Sequence, residues 1–364
     1  MAYTTIDNPS EHYQPVLYTG STSNITVNID MRPDFFWFKS RTQTYSHLWY
    51  DTSRPSDGTS MPTGDVNMYS KLSSDSEDDE DDNNVDGLVQ TSTGFIVDGD
   101  GQAIGEAGQG ADNMVAWCWK CNGGTTSSFT ESGNNPGGTI QTNTDAGFSI
   151  ITTTGTGGAG TISHGLGAVP HWIISKCRSH DNTGWGVYHK QNTSEPETEL
   201  LGLASNGATL DSPSYYNDTA PTSSVFTVGT SNDINGDGRT YVFYVFTEKQ
   251  GYSKFGSYAG NNSTDGPFVY TGFTPAWVMI KRTDGGTNNW PIWDYERGVY
   301  NGARAELYAN LNNAKATDSA IDILSNGFKL RNASTEWNNG TNYIYMAFAE
   351  HPFVSSKGVP TTAV

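Results

Sequence analysis

One string occurs three times along this chain and limits its fold more than any other feature. Pro33 to Asp51 reads PDFFWFKSRTQTYSHLWYD, Pro170 to His189 reads PHWIISKCRSHDNTGWGVYH, and Pro275 to Asp294 reads PAWVMIKRTDGGTNNWPIWD. In each, an aromatic stands two residues after the proline (Phe35, Trp172, Trp277) and a lysine six after it (Lys39, Lys176, Lys281). A second apolar run then ends in Tyr50-Asp51, Tyr188-His189 or Trp293-Asp294. Each copy is followed by a closing aromatic run: MVAWCW at Met114 to Trp119, YVFYVF at Tyr241 to Phe246, and YIYMAF at Tyr343 to Phe348. From anchor lysine to last aromatic is 80 residues in the first copy, 70 in the second and 67 in the third. A fixed pattern recurring about every hundred residues is the signature of a tandem repeat, with the first unit carrying an insertion.

The anchor run is apolar at both parities, Trp277 and Met279 against Val278 and Ile280. A strand washed by solvent on one face would alternate, so both faces must be covered, by a second layer or by a neighbouring subunit. Glycine at 41 residues, aromatics at 12% and charged residues at only 16% suit strands joined by many turns. The expected fold is all-β: a tandem array of three small antiparallel β-sandwich units. The units are expected at 1–120, with a lead-in and an acidic insertion, at 146–250, and at 251–364. The Gly/Ser/Thr/Asn-rich stretch 121–145 reads as a linker. Ala303 to Leu311 (ARAELYANL) is the one short helix candidate.

The formal charge of −19 argues against nucleic-acid or anionic-membrane partners, which need clustered Lys and Arg. No basic, apolar leader opens the chain, and the apolar runs are far shorter than the ~20 residues of a spanning helix. Three cysteines make no disulfide framework and point to synthesis in a reducing compartment.

Several strings resemble tandem-repeat virion proteins of bacteriophages, marine phages especially. They are MAYTTIDNPS, TISHGLGAVPHWIISK, YSKFGSYAGN with GPFVYTGFTPAWVMIKR, and SNGFKL followed by YIYMAFAEHPF, which together span nearly the whole chain. The resemblance implies a virion structural protein of the tail-fibre type, assembled in the host cytoplasm. Its implied partners are its own copies, with a trimer favoured, other virion proteins, and host-surface glycans. The family tends to carry Asp-x-x-Arg after the anchor. Asp51 to Arg54 and Asp294 to Arg297 keep it, whereas the second unit has His189-Lys190-Gln191. Capsid decoration, a head fibre, a carbohydrate-binding module and a depolymerase are the other readings weighed.

Chemistry-bearing motifs are few. Asp75 to Asp86 (DSEDDEDDNNVD) reads as a solvated loop of like charges, and its oxygens are also the one candidate for Ca²⁺. Asp233 to Gly238 (DINGDG) opens like a calcium loop, but position twelve would be Tyr244, so a hairpin turn is expected. Cys118-x-x-Cys121 lacks a second ligand pair, and Cys118 falls at a packing position. His164 and His171 stand near no nucleophile motif. No carboxylate pair has the spacing of a glycosidase, so a non-enzymatic protein is expected. Trp185, Trp290 and Trp293 lie beside turn residues and are the candidate surface aromatics for sugar stacking, although their recurrence by position favours a core.

Overall fold

The computed structural model describes residues 3–54, 66–68, 70–81, 88–97, 112–298 and 303–361. Nearly all regular structure is antiparallel β, as the aromatic and glycine content requires. Each unit is built on the same four adjacent strands. A lead strand (Tyr13–Thr19, Phe148–Thr154 or Ser253–Ala259) pairs with the closing strand (Asn113–Trp119, Thr240–Phe246 or Asn342–Pro352). The closing strand pairs with the anchor strand (Phe35–Ser40, Trp172–Cys177 or Phe273–Arg282), and the anchor with a short partner strand (Leu48–Asp51, Gly186–His189 or Pro291–Asp294). The closing strand, last in sequence, therefore lies between the first two, so each unit is complete only when its chain segment ends.

Both parities of these strands are buried, and they bury against different things. In the third unit Val278 and Ile280 of the anchor strand, with Tyr343, Tyr345 and Ala347 of the closing strand, face that unit's second layer. Phe36, Phe38, Ala116 and Cys118 do the same in the first unit, and Ile173, Tyr241, Phe243 and Val245 in the second. The opposite parity from all three units meets in one shared core. Phe35, Trp37, Trp117 and Trp119 join Trp172, Ile174, Tyr244 and Phe246, together with Trp277, Met279, Met346 and Phe348. Trp277 packs on rings of both other units, 6.1 Å from Trp37, 6.0 Å from Trp119 and 6.4 Å from Trp172 between centroids. The three inner sheets thus cover one another, and each anchor strand is central in a layered β structure. The two apolar faces that could have called for a neighbouring subunit are covered within one chain.

Three expectations need correction. Ala303–Tyr308 is a strand, paired with Pro291–Asp294 and Ala316–Leu324. Ladder bonds on both sides and burial of Leu307 in the shared core outweigh the helix propensity of Ala, Arg and Glu. The stretch 121–145 holds strands Ser127–Phe129 and Gly137–Asn143, which extend the second unit's inner sheet beyond its lead strand. Its composition reads as a linker because glycine there serves close approach: a Cβ on Gly138 would run into the Thr152 carbonyl. The described part of the acidic insertion is docked protein, as shown next.

Candidate interaction surface

Contacts between units repeat in a ring. After its partner strands, each unit sends a loop onto the next: residues 73–80 of the first onto the second, 202–209 of the second onto the third, and 308–315 of the third back onto the first. The anchor lysine receives it. Lys176 Nζ donates to Glu77 O (3.0 Å), Lys281 Nζ to Asn206 O (3.1 Å) and Lys39 Nζ to Asn312 O (3.1 Å). Each lysine is fully buried, and burial takes all three ammonium groups down to about 8. Such a group survives in the interior only with acceptors around it, and the incoming loop adds one carbonyl to those of the lysine's own unit, Gln43 O, Thr183 O and Asn288 O.

The three tryptophans named as candidate surface aromatics are core residues, as their recurrence favoured, and two of them act in the same contacts. Trp185 and Trp290 are 1% and 0% exposed, and Trp293 0%. Trp185 Nε1 donates to Ser73 O and Ser76 O at 3.0 and 2.9 Å; Trp290 Nε1 donates to Gly202 O and Ser205 O at 2.9 and 3.1 Å. In both cases the ring takes carbonyls three residues apart in the preceding unit's loop. His47 occupies the same position in the first unit, its ring near the Tyr308 and Leu311 carbonyls, and burial keeps it neutral well below its ordinary range. Trp293 packs edge-on against Trp337 in the third unit's outer core. None of the three can stack on a sugar: the preceding unit's loop covers Trp185 and Trp290, and Trp293 lies inside its own unit.

The acidic insertion enters this contact through its backbone as much as its charge. Glu77 O caps Lys176, while the Glu80 carboxylate lies between Arg54 (3.2 Å) and Arg178. Burial pushes the Glu80 carboxyl up, but the two guanidinium groups outweigh it and hold it down to about 2. Among the described residues no cluster of His, Cys, Asp or Glu is arranged to hold a metal; residues 82–86 lie outside them. Asp233 accepts a hydrogen bond from Tyr215 Oη, and Gly236 N donates to Tyr241 Oη, which makes DINGDG a turn. Cys118 and Cys121 are buried free thiols, both pushed up by burial. His164 bonds Thr222 O through Nε2 and accepts from Leu166 N at Nδ1.

The aromatics left open to solvent are elsewhere. On the edge strand Phe268–Tyr270, Phe268 is 45% and Tyr270 52% exposed, while Val269 between them is buried. Two residues apart on a strand, they stand on one face, about 7 Å apart along the chain. Tyr3 Oη lies 3.2 Å from Tyr270 Oη, and Lys329 pairs with Asp265 next to the strand, so apolar ring faces are bordered by donors and acceptors. Sequence reading passed over these residues; an aromatic–apolar–aromatic triplet in a stretch rich in Gly, Asn and Ser was the available signal.

Compared with protein-family models, residues 8–352 match a domain of unknown function, DUF7483. The chain belongs to that family. No curated protein and no solved structure matches it. One DUF7483 domain spans the repeated strands of all three units and the ring of loop contacts between them.

Proposed function

We propose that this DUF7483 protein is a non-enzymatic structural component of a bacteriophage particle, in a tail fibre or tail-associated assembly. In this reading it contacts host-surface carbohydrate through the strand Phe268–Tyr270. What supports the structural reading is how its charged groups are used. The buried carboxylates Asp51 and Asp294 are held by Arg54 and Arg297, and the buried lysines are capped by loop carbonyls. A closed ring held by such contacts suits a rigid particle part. The sequence resemblance to virion proteins supports the location. The exposed Phe268 and Tyr270 favour the sugar contact, because rings bordered by polar groups stack on pyranose faces and bond their hydroxyls. Association with further copies and with other particle proteins, a trimer included, is proposed to use outer edges, because both faces of the anchor strands are spent inside the chain.

Immunogold labelling of purified particles tests the location. Label at the tail is expected; label spread over the head makes capsid decoration the better account, and particles free of the protein overturn the virion reading. Binding of the protein to arrayed host polysaccharide, lost in Phe268→Ala and Tyr270→Ala at unchanged stability, tests the contact. Undiminished binding by both variants would remove that strand from the account.

A further inference from the structure

The three unit interfaces carry one structural position in three chemical versions, and one version is incomplete. At the interface of the first and second units, Arg54 Nη1 lies 3.2 Å from Glu80 Oε2, and Arg178 Nε reaches the same oxygen. Glu80 is placed by its own backbone, whose N–H donates to Arg178 O at 2.9 Å. At the interface of the second and third units the corresponding backbone bond is Thr209 N to Thr283 O (3.1 Å), and Thr209 Oγ1 donates to Asn192 Oδ1 at 2.9 Å. Asn192 stands three residues after His189, as Arg54 stands three after Asp51. This interface is neutral and satisfied.

Between the third and first units the corresponding residues are Arg297, Arg41 and Lys315, with Lys315 N donating to Arg41 O at 3.1 Å. Arg297 repeats two contacts of Arg54, Nε to Asp294 Oδ2 at 2.5 Å and Nη2 to Ile292 O at 3.1 Å; where Arg54 Nη2 also meets Tyr244 Oη, the Arg297 guanidinium lies over the Trp117 ring. Arg41 repeats Arg178, its N–H on Asn113 O as that of Arg178 is on Thr240 O, both at 2.7 Å. The carboxylate position, however, is held by a lysine. Arg297 Nη1 and Arg41 Nε, the counterparts of the two atoms that face Glu80, are buried without a hydrogen-bond partner among the described residues. Arg54 Nη1 makes no hydrogen bond either, but it has the Glu80 carboxylate at 3.2 Å, whereas neither Arg297 Nη1 nor Arg41 Nε is in an ion pair among the described residues. The Arg297 side chain is 0% exposed. The two cations feel each other: burial and then the Arg297 charge bring the Arg41 guanidinium below its ordinary range. Asp294 answers the Arg297 charge through Nε, but among the described residues no carboxylate faces Arg297 Nη1 and Arg41 Nε as Glu80 faces their counterparts, and a carboxylate or phosphate is the group such donors fit.

We propose that Arg297 Nη1 and Arg41 Nε form an anion-binding site between the third and first units, which takes a carboxylate or another small oxyanion where Glu80 sits in its sister site. The bound anion would lock the closure of the ring, as Glu80 locks the first interface to the second.

The test is thermal unfolding of the full chain in a buffer of bulky organic sulfonate at fixed ionic strength, with acetate, phosphate, sulfate or chloride added. The wild type should gain several degrees with at least one oxyanion, saturably and beyond chloride, as for a ligand that binds the folded state alone. Acetate alone would name a carboxylate site, and phosphate or sulfate a tetrahedral one. Arg41→Gln, at a half-buried position, should fold and lose at least tenfold in apparent affinity. Lys315→Glu should melt higher than the wild type without added anion and lose the response, because it supplies the carboxylate from the chain. An oxyanion response no larger than that of chloride, or a Lys315→Glu variant that responds like the wild type, would overturn the site.

Discussion

Trp117 Nε1 donates to Asp294 Oδ2 across 2.8 Å, joining the closing strand of the first unit to the partner strand of the third. Tyr244 stands at the same place in the second unit and donates to Asp51 Oδ2 of the first at 2.7 Å. In the third unit that place is Met346, which has no such donor, and the facing residue is His189, whose Nε2–H donates to Tyr345 O at 3.2 Å. A carbonyl only accepts, so His189 carries its proton on Nε2 and accepts the Gln191 N–H at Nδ1, as Asp51 Oδ1 accepts that of Ser53. The departure of the second unit from Asp-x-x-Arg is therefore matched to its partner. Trp117→Phe and Tyr244→Phe should each cost about 2–3 kcal/mol by removing a donor from a buried carboxylate. Met346→Leu should cost under about 1.5 kcal/mol. Urea unfolding at constant slope checks all three.

Exchanging the acceptor type should fail alone. His189→Asp places a carboxylate beside a carbonyl, with Asn192 where the other units have Arg54 and Arg297, and should cost about 3 kcal/mol or more. Adding Asn192→Arg supplies the cation that Arg54 and Arg297 supply in the other units and should return part of that loss. A double variant no more stable than the single one would contradict the equivalence of the three sites.

The anchor lysines should be needed as donors, not as surface charges. Lys281→Met removes the partner of Asn206 O and of Asn288 O, and about 1–3 kcal/mol of stability should go with it. Cleavage by a protease within residues 202–209 should rise in parallel, since that loop loses its tie to the third unit.

Much of this was legible in the sequence, and the limits have physical causes. Period-two apolarity at Trp277-Val278-Met279-Ile280 correctly required cover on both faces. What supplies the second cover depends on where whole units pack, and no local pattern encodes that. Trp185 and Trp290 stood as surface candidates because turn residues lie beside them, and their recurrence favoured a core; what the sequence did not show is that a loop of the preceding unit, distant in sequence, closes over both. The docking of Glu77 and Glu80 was hidden for a similar reason. A run of acids announces repulsion, while the useful group at Glu77 is a backbone carbonyl, which every residue has. Ala303–Tyr308 has helical composition, and only its two neighbouring strands make it β.

Acid should loosen the first interface before neutral pH changes anything there. Glu80 is held down to about 2, against an ordinary value of 4.5. A carboxyl lowered in the fold stabilises above its unfolded value, and that contribution fades as pH falls from about 4.5 towards 2. For this largely buried group the effect is on the order of 3 kcal/mol. Glu80→Gln should be less stable than the wild type at pH 7, with the difference shrinking steadily below pH 4.5. A difference independent of pH between 7 and 3 would show that Glu80 is not held by Arg54 and Arg178.

Three sequential units close into a ring, with the third unit bonded back to the first. A double-mutant cycle on Trp117→Phe and Asp294→Asn measures that closure directly. The ring predicts a coupling of at least about 1 kcal/mol between residues 177 positions apart. Strict additivity of the two substitutions would mean that the first and third units do not meet there, and would contradict the closed ring.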